Sequence, residues 1–378
     1  MKIYRRAILP LGFKASGISC GLKRSGRKDL ALIYSFFPAR AACLFTTNKV
    51  KAAPVVLCKQ VLKKSRKFQA IIANSGNANC LNGIKGYQVA RRTASSLARA
   101  LGLREDNVLV ASTGIIARAI PFLKIKRNLP DLVKGLSTFG ISEAQKAIMT
   151  TDTFPKGCSA KFNLNGREVT ICGIAKGAGM IAPDMATLLV FISTDANIKA
   201  GYLRKALKKS VDGSFNCITV DGCMSTNDSV MCLANAAAGN VPIGEKNGFE
   251  EFSRALDLVC LELAKMIVRD AEGAGKFIEI RVSQAIAASD ARRAALAIAN
   301  SNLFKTACYG ENPNFGRIAS AVGSSGAGFK EGKLKIRVSS LKRRNILVRV
   351  SLGVGIHSAV VYTSDLTPEY IKINAQYN

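Results

Sequence analysis

Apolar positions in the first third of the chain fall in short runs separated by turns rich in glycine and asparagine. DLALIYSF (residues 29–36), APVVLC (53–58) and FQAIIANSGNANCLNG (68–83) each read as a strand running into a loop. The spacing then changes to that of a helix in GYQVARRTASSLARALGL. There Val89, Leu97, Ala98 and Leu101 share a stripe and Arg91, Arg92 and Arg99 lie off it. VLVASTGIIA (108–117) reads as a buried strand ending in a polar turn. A second helix is expected from Phe249 to about Ala271, stopped by Gly273, with Phe252, Leu256, Val259, Leu263 and Ile267 as its core-facing stripe. FIEIRVS, KLKIRVSS and NILVRVSLG alternate in polarity and are expected to form antiparallel strands, with a helix in DARRAALAIANS. Strands and helices without a regular βαβ repeat imply an α+β fold. The weakest seam is at Gly273 to Lys276, where a boundary is expected.

Composition narrows this picture. A chain of 378 residues with 48% hydrophobic residues can bury a large core in two domains or one two-part domain. No apolar run approaches the ~20 residues of a membrane span. The basic amino end carries Pro10, Gly12 and Lys14 within its apolar patch, too soon for a secretory signal. Eleven cysteines with no C-x-x-C suggest neither a disulfide framework nor a zinc site, and reduced thiols in a cytoplasm fit best. The net charge of +30 raises a nucleic-acid partner. Its lysines and arginines, however, form scattered clusters (Lys63 to Lys67, Lys124 to Arg127, Leu341 to Arg344) without a recognition motif, so a solvated basic surface is expected.

Elimination then limits the chemistry. His357 is the only histidine, and its strand-like surroundings suit a core or edge residue better than a catalytic base. A hydroxyl nucleophile would therefore take a lysine, a water or an α-amino group as its base. GAGMIA (177–182) outlines a dinucleotide fingerprint, but Pro183 and the strand-like TLLVFIST follow where a helix should open. The better reading is strand, glycine-relaxed turn and strand, with Ala186-Thr187 at the start of the second strand. A small residue before threonine at a strained turn suits an intramolecular N-to-O acyl shift. Cleavage there would free an α-amine of pKa about 7.7–8.0 to act as base for its own hydroxyl.

These segments resemble the ornithine acetyltransferase (glutamate N-acetyltransferase) family of arginine biosynthesis over essentially the whole chain. The resemblance is carried in order by GFKASGISCGLKRSGRKDLALIYS, FTTNKVKAAPV, ANSGNANCLNG, VASTGIIA, AIMTTDTFPK, KGAGMIAPDMATLL, DGCMSTNDSV, RDAEGAGKF, ENPNFGRI and SDLTPEYIKINAQYN. It implies an α-β-β-α layered sandwich of the autoprocessing N-terminal-nucleophile type with a smaller C-terminal α/β part. Cleavage between Ala186 and Thr187 would give an α chain of residues 1–186 and a β chain of residues 187–378. The sandwich would continue to about residue 275 and the smaller part would occupy about 276–378. The two chains would pair as two α and two β.

The implied reaction moves an acetyl group from N-acetylornithine to glutamate through an acetyl-Thr187 ester. Neither metal nor cofactor is needed, acetyl-CoA remains open as a second donor, and no nucleic-acid or membrane partner is expected. Thr113 and Gly114 match the family's oxyanion-hole pair, and Thr153, Lys176, Thr187, Glu272 and Asn374 its substrate-binding positions. The chain departs from the pattern at Ala117, which replaces a common glycine, and at Cys223, Met224 and Phe315, all expected to be packing swaps. It also ends in Gln376, Tyr377 and Asn378 without the family's terminal hydroxyl residue, which implies a lost substrate contact. An autoprocessing aminopeptidase or amidase, with water as acyl acceptor, is the nearest alternative.

Overall fold

The computed structural model describes residues 1–182 and 188–376, and the chain divides into two compact units. The first comprises residues 1–177, 184–215 and 224–263, of which 184–187 lie outside the described residues. Its strands are β1 (Lys2–Tyr4), β2 (Phe13–Ile18), β3 (Leu30–Phe45), β4 (Phe68–Asn74), β5 (Val108–Ser112), β6 (Lys156–Leu164), β7 (Arg167–Lys176), β8 (Leu189–Thr194) and β9 (Ser229–Ala234). Its helices are α1 (Ala53–Lys64), α2 (Gly83–Leu101), α3 (Phe122–Lys134), α4 (Ile141–Ile148), α5 (Ala200–Asp212) and the larger part of α6 (Phe249–Arg269).

The 16-residue β3 joins two sheets. Its first half pairs with β2 and β4, and β4 with β5, whereas its second half pairs with β9, followed by β8, β7, β6 and β1. One cluster takes Ile33, Ile71, Leu109 and Ala111 from the first sheet together with Ile174, Leu189, Phe191, Met231 and Leu233 from the second, so the sheets bury these faces on each other. The first sheet's opposite face buries Leu32, Ile72 and Val110 against Leu97 of α2 and Leu129 and Leu132 of α3. On the second sheet, Gly173 lies so close to Val259 and Leu263 of α6 that an added Cβ would stand 2.7 Å from Leu263 Cδ1. The layer order is therefore α-β-β-α, as the resemblance implies. The expected stripe of α6 is fully buried; each such large apolar side chain contributes roughly 1.5–3 kcal/mol.

The second unit comprises residues 178–183, 216–223 and 264–378, described except for Pro183, Tyr377 and Asn378. It contains β10 (Phe277–Ala285), α7 (Ala288–Ala299), α8 (Asn302–Tyr309), α9 (Gly316–Gly323), β11 (Lys335–Val338), β12 (Asn345–Ser351), β13 (His357–Ser364) and α10 (Pro368–Gln376). Its sheet, in the order β11-β12-β10-β13, packs Ile280, Val282, Val348 and Val361 against the alanine stripe of α7.

Two expectations are corrected. Residues 53–58 open helix α1 instead of forming a strand. Pro54 stands in the first turn, where a missing N–H costs nothing, and the run continues into KQVLKK with helical spacing. The strands β10 and β12 pair in parallel, because three helices and β11 intervene and return the chain in the same direction. Only β11–β12 and β10–β13 are antiparallel in this sheet. His357 is an exposed residue at the start of edge strand β13, as its setting suggested.

Candidate active site

The chain leaves β5 through Thr113 and Gly114, and a network of amide side chains holds this turn. Ser112 Oγ donates to Asn74 Oδ1 at 2.6 Å, Asn74 Nδ2 donates to the Asn77 carbonyl at 2.9 Å, and Thr113 N–H donates to the Asn74 carbonyl at 3.0 Å. From the loop before β9, Asn227 Nδ2 donates to the carbonyls of Ser112 at 2.8 Å and Ala78 at 2.5 Å. Gly114 has φ +125°, and a Cβ there would stand 2.4 Å from the Gly76 carbonyl carbon, so only glycine fits without backbone movement. Among the described residues nothing accepts from the Thr113 hydroxyl or the Gly114 N–H. The fold thus fixes a turn whose two donors have no acceptor among the described residues, the kind of pair an oxyanion hole uses.

Ala117 follows at φ +61°, exposed. The departure from glycine is thus a backbone matter and not a packing swap. Ala117→Gly is expected to stabilise the protein by about 0.5–1 kcal/mol, read as a raised urea midpoint, because a Cβ in the left-handed region costs more than the entropy that glycine adds. Cys223 and Phe315 are exposed and Met224 half-buried, so these positions do not repack a core either.

A second cluster lies at the end of β7. Lys156 and Lys176 are 0% and 2% exposed and Asp152 4%. Asp152 Oδ1 accepts from Lys156 Nζ at 2.6 Å and from Gly177 N–H at 2.8 Å, and Oδ2 accepts from Thr150 N–H at 2.9 Å. Burial alone would raise the Asp152 carboxyl, but the Lys176 and Lys156 ammoniums and these hydrogen bonds hold it below the usual carboxylate range. Asp152→Ala removes the carboxylate that pairs with the buried Lys156 ammonium and is expected to cost about 3–5 kcal/mol in urea unfolding. Because the folded pKa is depressed, this contribution is complete above the unfolded carboxyl value near 4 and is lost as pH falls below it. The gap between wild type and variant should therefore narrow in acid. Thr153, the neighbour of Asp152, is exposed.

Downstream, Leu188 N–H donates to Asp228 Oδ1 at 2.7 Å, and Ser229 N–H to the Leu188 carbonyl at 3.1 Å. Burial pushes the fully enclosed Asp228 carboxyl well above its ordinary range, against the Leu188 N–H and the Lys176 ammonium. Lys23, pulled down to about 8, feels burial first and then Asp29, which opposes the fall, and Lys176. Thr113, Gly114, Lys176 and Thr153 all belong to the first unit. The expected cleavage pair Ala186 and Thr187 lies outside the described residues.

In the second unit, Asn374 Nδ2 of α10 donates to Glu272 Oε2 at 2.8 Å, so these two expected positions meet. Gly179 makes room for them: a Cβ there would stand 2.3 Å from the Glu272 carboxylate. Asp221 accepts from the N–H groups of Met180 and Ile181 at 2.6 and 3.0 Å, tying down the chain there. Asp152, Asp221, Asn227 and Asp228 are not singled out by the sequence. Each stands within a quoted segment (TTDTF, DGCMSTNDSV), but nothing in their spacing announces their burial.

The two-sheet α-β-β-α sandwich thus carries the fixed Thr113–Gly114 turn and the buried lysine–carboxylate cluster in the same unit. The chain belongs to the ArgJ family, whose model matches residues 14–378. It is 45% identical to the arginine biosynthesis bifunctional protein ArgJ of Geobacter sulfurreducens over 97% of this chain and 98% of that one. It is 44% identical to the protein of that name from Caldanaerobacter subterraneus, over 98% and 97%. Among solved structures, ornithine acetyltransferase of Mycobacterium tuberculosis complexed with ornithine is similar, with 38% identity over 48% of this chain and 97% of that chain and a TM-score of 0.45. Among the described residues no helix is long and apolar enough to cross a membrane.

Proposed function

We propose that this acyltransferase of arginine biosynthesis cleaves itself between Ala186 and Thr187 and then transfers acetyl from N-acetylornithine to glutamate. The observation that carries the reading is the full-length match to the ArgJ proteins, and the Thr113–Gly114 turn gives it chemistry. In self-cleavage the Thr187 hydroxyl attacks the Ala186 carbonyl, the peptide C–N bond breaks, and water hydrolyses the resulting ester. Two products form, the Ala186 carboxylate and the free Thr187 amine.

In transfer, the amine takes the hydroxyl proton while Thr187 Oγ attacks the acetyl carbonyl of N-acetylornithine. The tetrahedral oxyanion is met by the Thr113 hydroxyl and the Gly114 N–H. Ornithine leaves with the proton, and the amine of glutamate attacks the acetyl ester and restores Thr187. One amide replaces another, so the exchange needs no ATP, metal or other cofactor. Acetyl-CoA as an additional donor, and an assembly of two α and two β chains, are part of the same proposal.

Lys176 offers an ammonium to a substrate carboxylate, and Glu272, held by Asn374, offers a carboxylate to an amino-acid ammonium. Glu272→Gln is therefore expected to raise the KM for N-acetylornithine about tenfold while leaving kcat within a few-fold, measured by ornithine release. Product analysis with and without glutamate tests the function. Acetylglutamate forming in step with ornithine supports transfer, whereas free acetate at an equal rate without glutamate would mean an amidase.

A further inference from the structure

Thr367, immediately before helix α10, and Tyr370 and Asn374 within it stand at the spacing i, i+3, i+7, which brings them onto one face of the helix. All three reach the turn that holds Glu272 or the loop beside it. The Thr367 hydroxyl donates to the Gly273 carbonyl at 2.8 Å, and its oxygen accepts from Tyr370 N–H at 3.3 Å. One side chain therefore caps the helix and fastens it to the residue after Glu272. Two turns on, Asn374 Nδ2 donates to Glu272 Oε2 at 2.8 Å. Gly273 lets the helix come this close: its φ is +68°, and a Cβ there would stand 2.5 Å from Tyr370 N.

Tyr370 fixes how α10 is turned about its axis. Its hydroxyl donates to Asp221 Oδ2 at 3.3 Å, and the same carboxylate accepts from the N–H groups of Met180, Ile181 and Cys223. Burial and the Asp221 charge push the phenol above its ordinary range, which keeps it a donor. Glu272 N–H in turn donates to the Ala178 carbonyl at 3.0 Å, so the segment bound by Asp221 also holds the backbone of Glu272. Among the described residues nothing donates to Glu272 Oε1. A carboxylate with one oxygen held by a neutral amide and the other open is set to receive one ammonium.

We propose that α10 is a clamp that places the Glu272 carboxylate for the ammonium of an amino-acid substrate, with Thr367 and Tyr370 as positioning residues. This deepens the reading of Glu272 as a substrate-binding group and rests on it. Neither hydroxyl takes part in the acetyl transfer, so both act on KM and leave kcat alone.

Thr367→Val and Tyr370→Phe each remove one hydroxyl and little else. With transfer followed by ornithine release, each is expected to raise the KM for N-acetylornithine about three- to tenfold with kcat within about twofold. Thr367→Ser, which keeps the hydroxyl, should recover most of the affinity. Added to Glu272→Gln, either change should raise KM by less than about twofold further, because the charge being placed is already gone. Wild-type KM in either hydroxyl variant would overturn the proposal, as would a fall in kcat at constant KM. Effects that multiply in full with that of Glu272→Gln would also overturn it, since a merely structural role acts independently of the charge. If Thr367→Val does not fold, Tyr370→Phe decides by the same readings. A Glu272→Gln enzyme of unchanged KM contradicts the reading of Glu272 itself and the clamp with it. If Glu272→Gln raises KM while the hydroxyl variants do not, only the clamp fails.

Discussion

Replacing Thr187 by alanine is expected to leave one intact chain of 378 residues with no acetyl transfer, whereas wild type separates into chains of 186 and 192 residues. In the proposed mechanism one hydroxyl serves both reactions: it attacks the Ala186 carbonyl in the precursor and the acetyl carbonyl in the mature enzyme. Removing it abolishes the nucleophile and leaves the α-amine masked as an amide, so the expected loss is ~10⁴-fold or more in kcat. Serine at this position supplies a hydroxyl on a less restricted side chain. Thr187→Ser should therefore cleave and turn over, more slowly than threonine, because serine must give up more rotamer freedom to attack. Gel analysis and ornithine release on the same preparations check both variants. A Thr187→Ala protein that still divides would place the cut on another group.

The second large effect is expected at Thr113, where alanine should lower kcat by ~10²–10³-fold and change KM little. In the proposed mechanism the donor is matched to charge that develops only in the transition state, so its loss would be felt in the chemical step. Thr113→Ser keeps the hydroxyl and should recover most of the rate. An unchanged kcat with a raised KM would instead make Thr113 a contact for bound substrate. Gly114 cannot be tested as cleanly, because a Cβ at φ +125° pressed against Gly76 moves the turn itself.

Much of this was legible in the sequence because the signals were long or redundant. The five apolar positions of α6 recur over four turns, and all five are buried where the spacing puts them. The strand β5 and its Thr113–Gly114 turn follow from a run of small and branched residues broken by glycine. The six-residue run 53–58 misled because an apolar run that short has no period of its own. The direction of β12 against β10 is set by what the chain does between them, which alternation within each strand cannot reveal. Glu272 and Asn374 are about a hundred residues apart and reachable only through the family resemblance, yet they share a hydrogen bond. Asp152 and Asp228 mark the limit of sequence reading. Both are aspartates in polar segments, and only their surroundings make one a charged partner of two lysines and the other a fully buried acid.

The proposed transfer passes through an acetyl-enzyme on Thr187. Mature protein incubated with N-acetylornithine in the absence of glutamate, quenched in acid and digested, reports on it directly by mass spectrometry. One added acetyl group is expected on the peptide that begins Thr187-Leu188-Leu189, discharged when glutamate is supplied before the quench. Acetyl found on another residue, or no acetyl on that peptide while transfer proceeds, would contradict it.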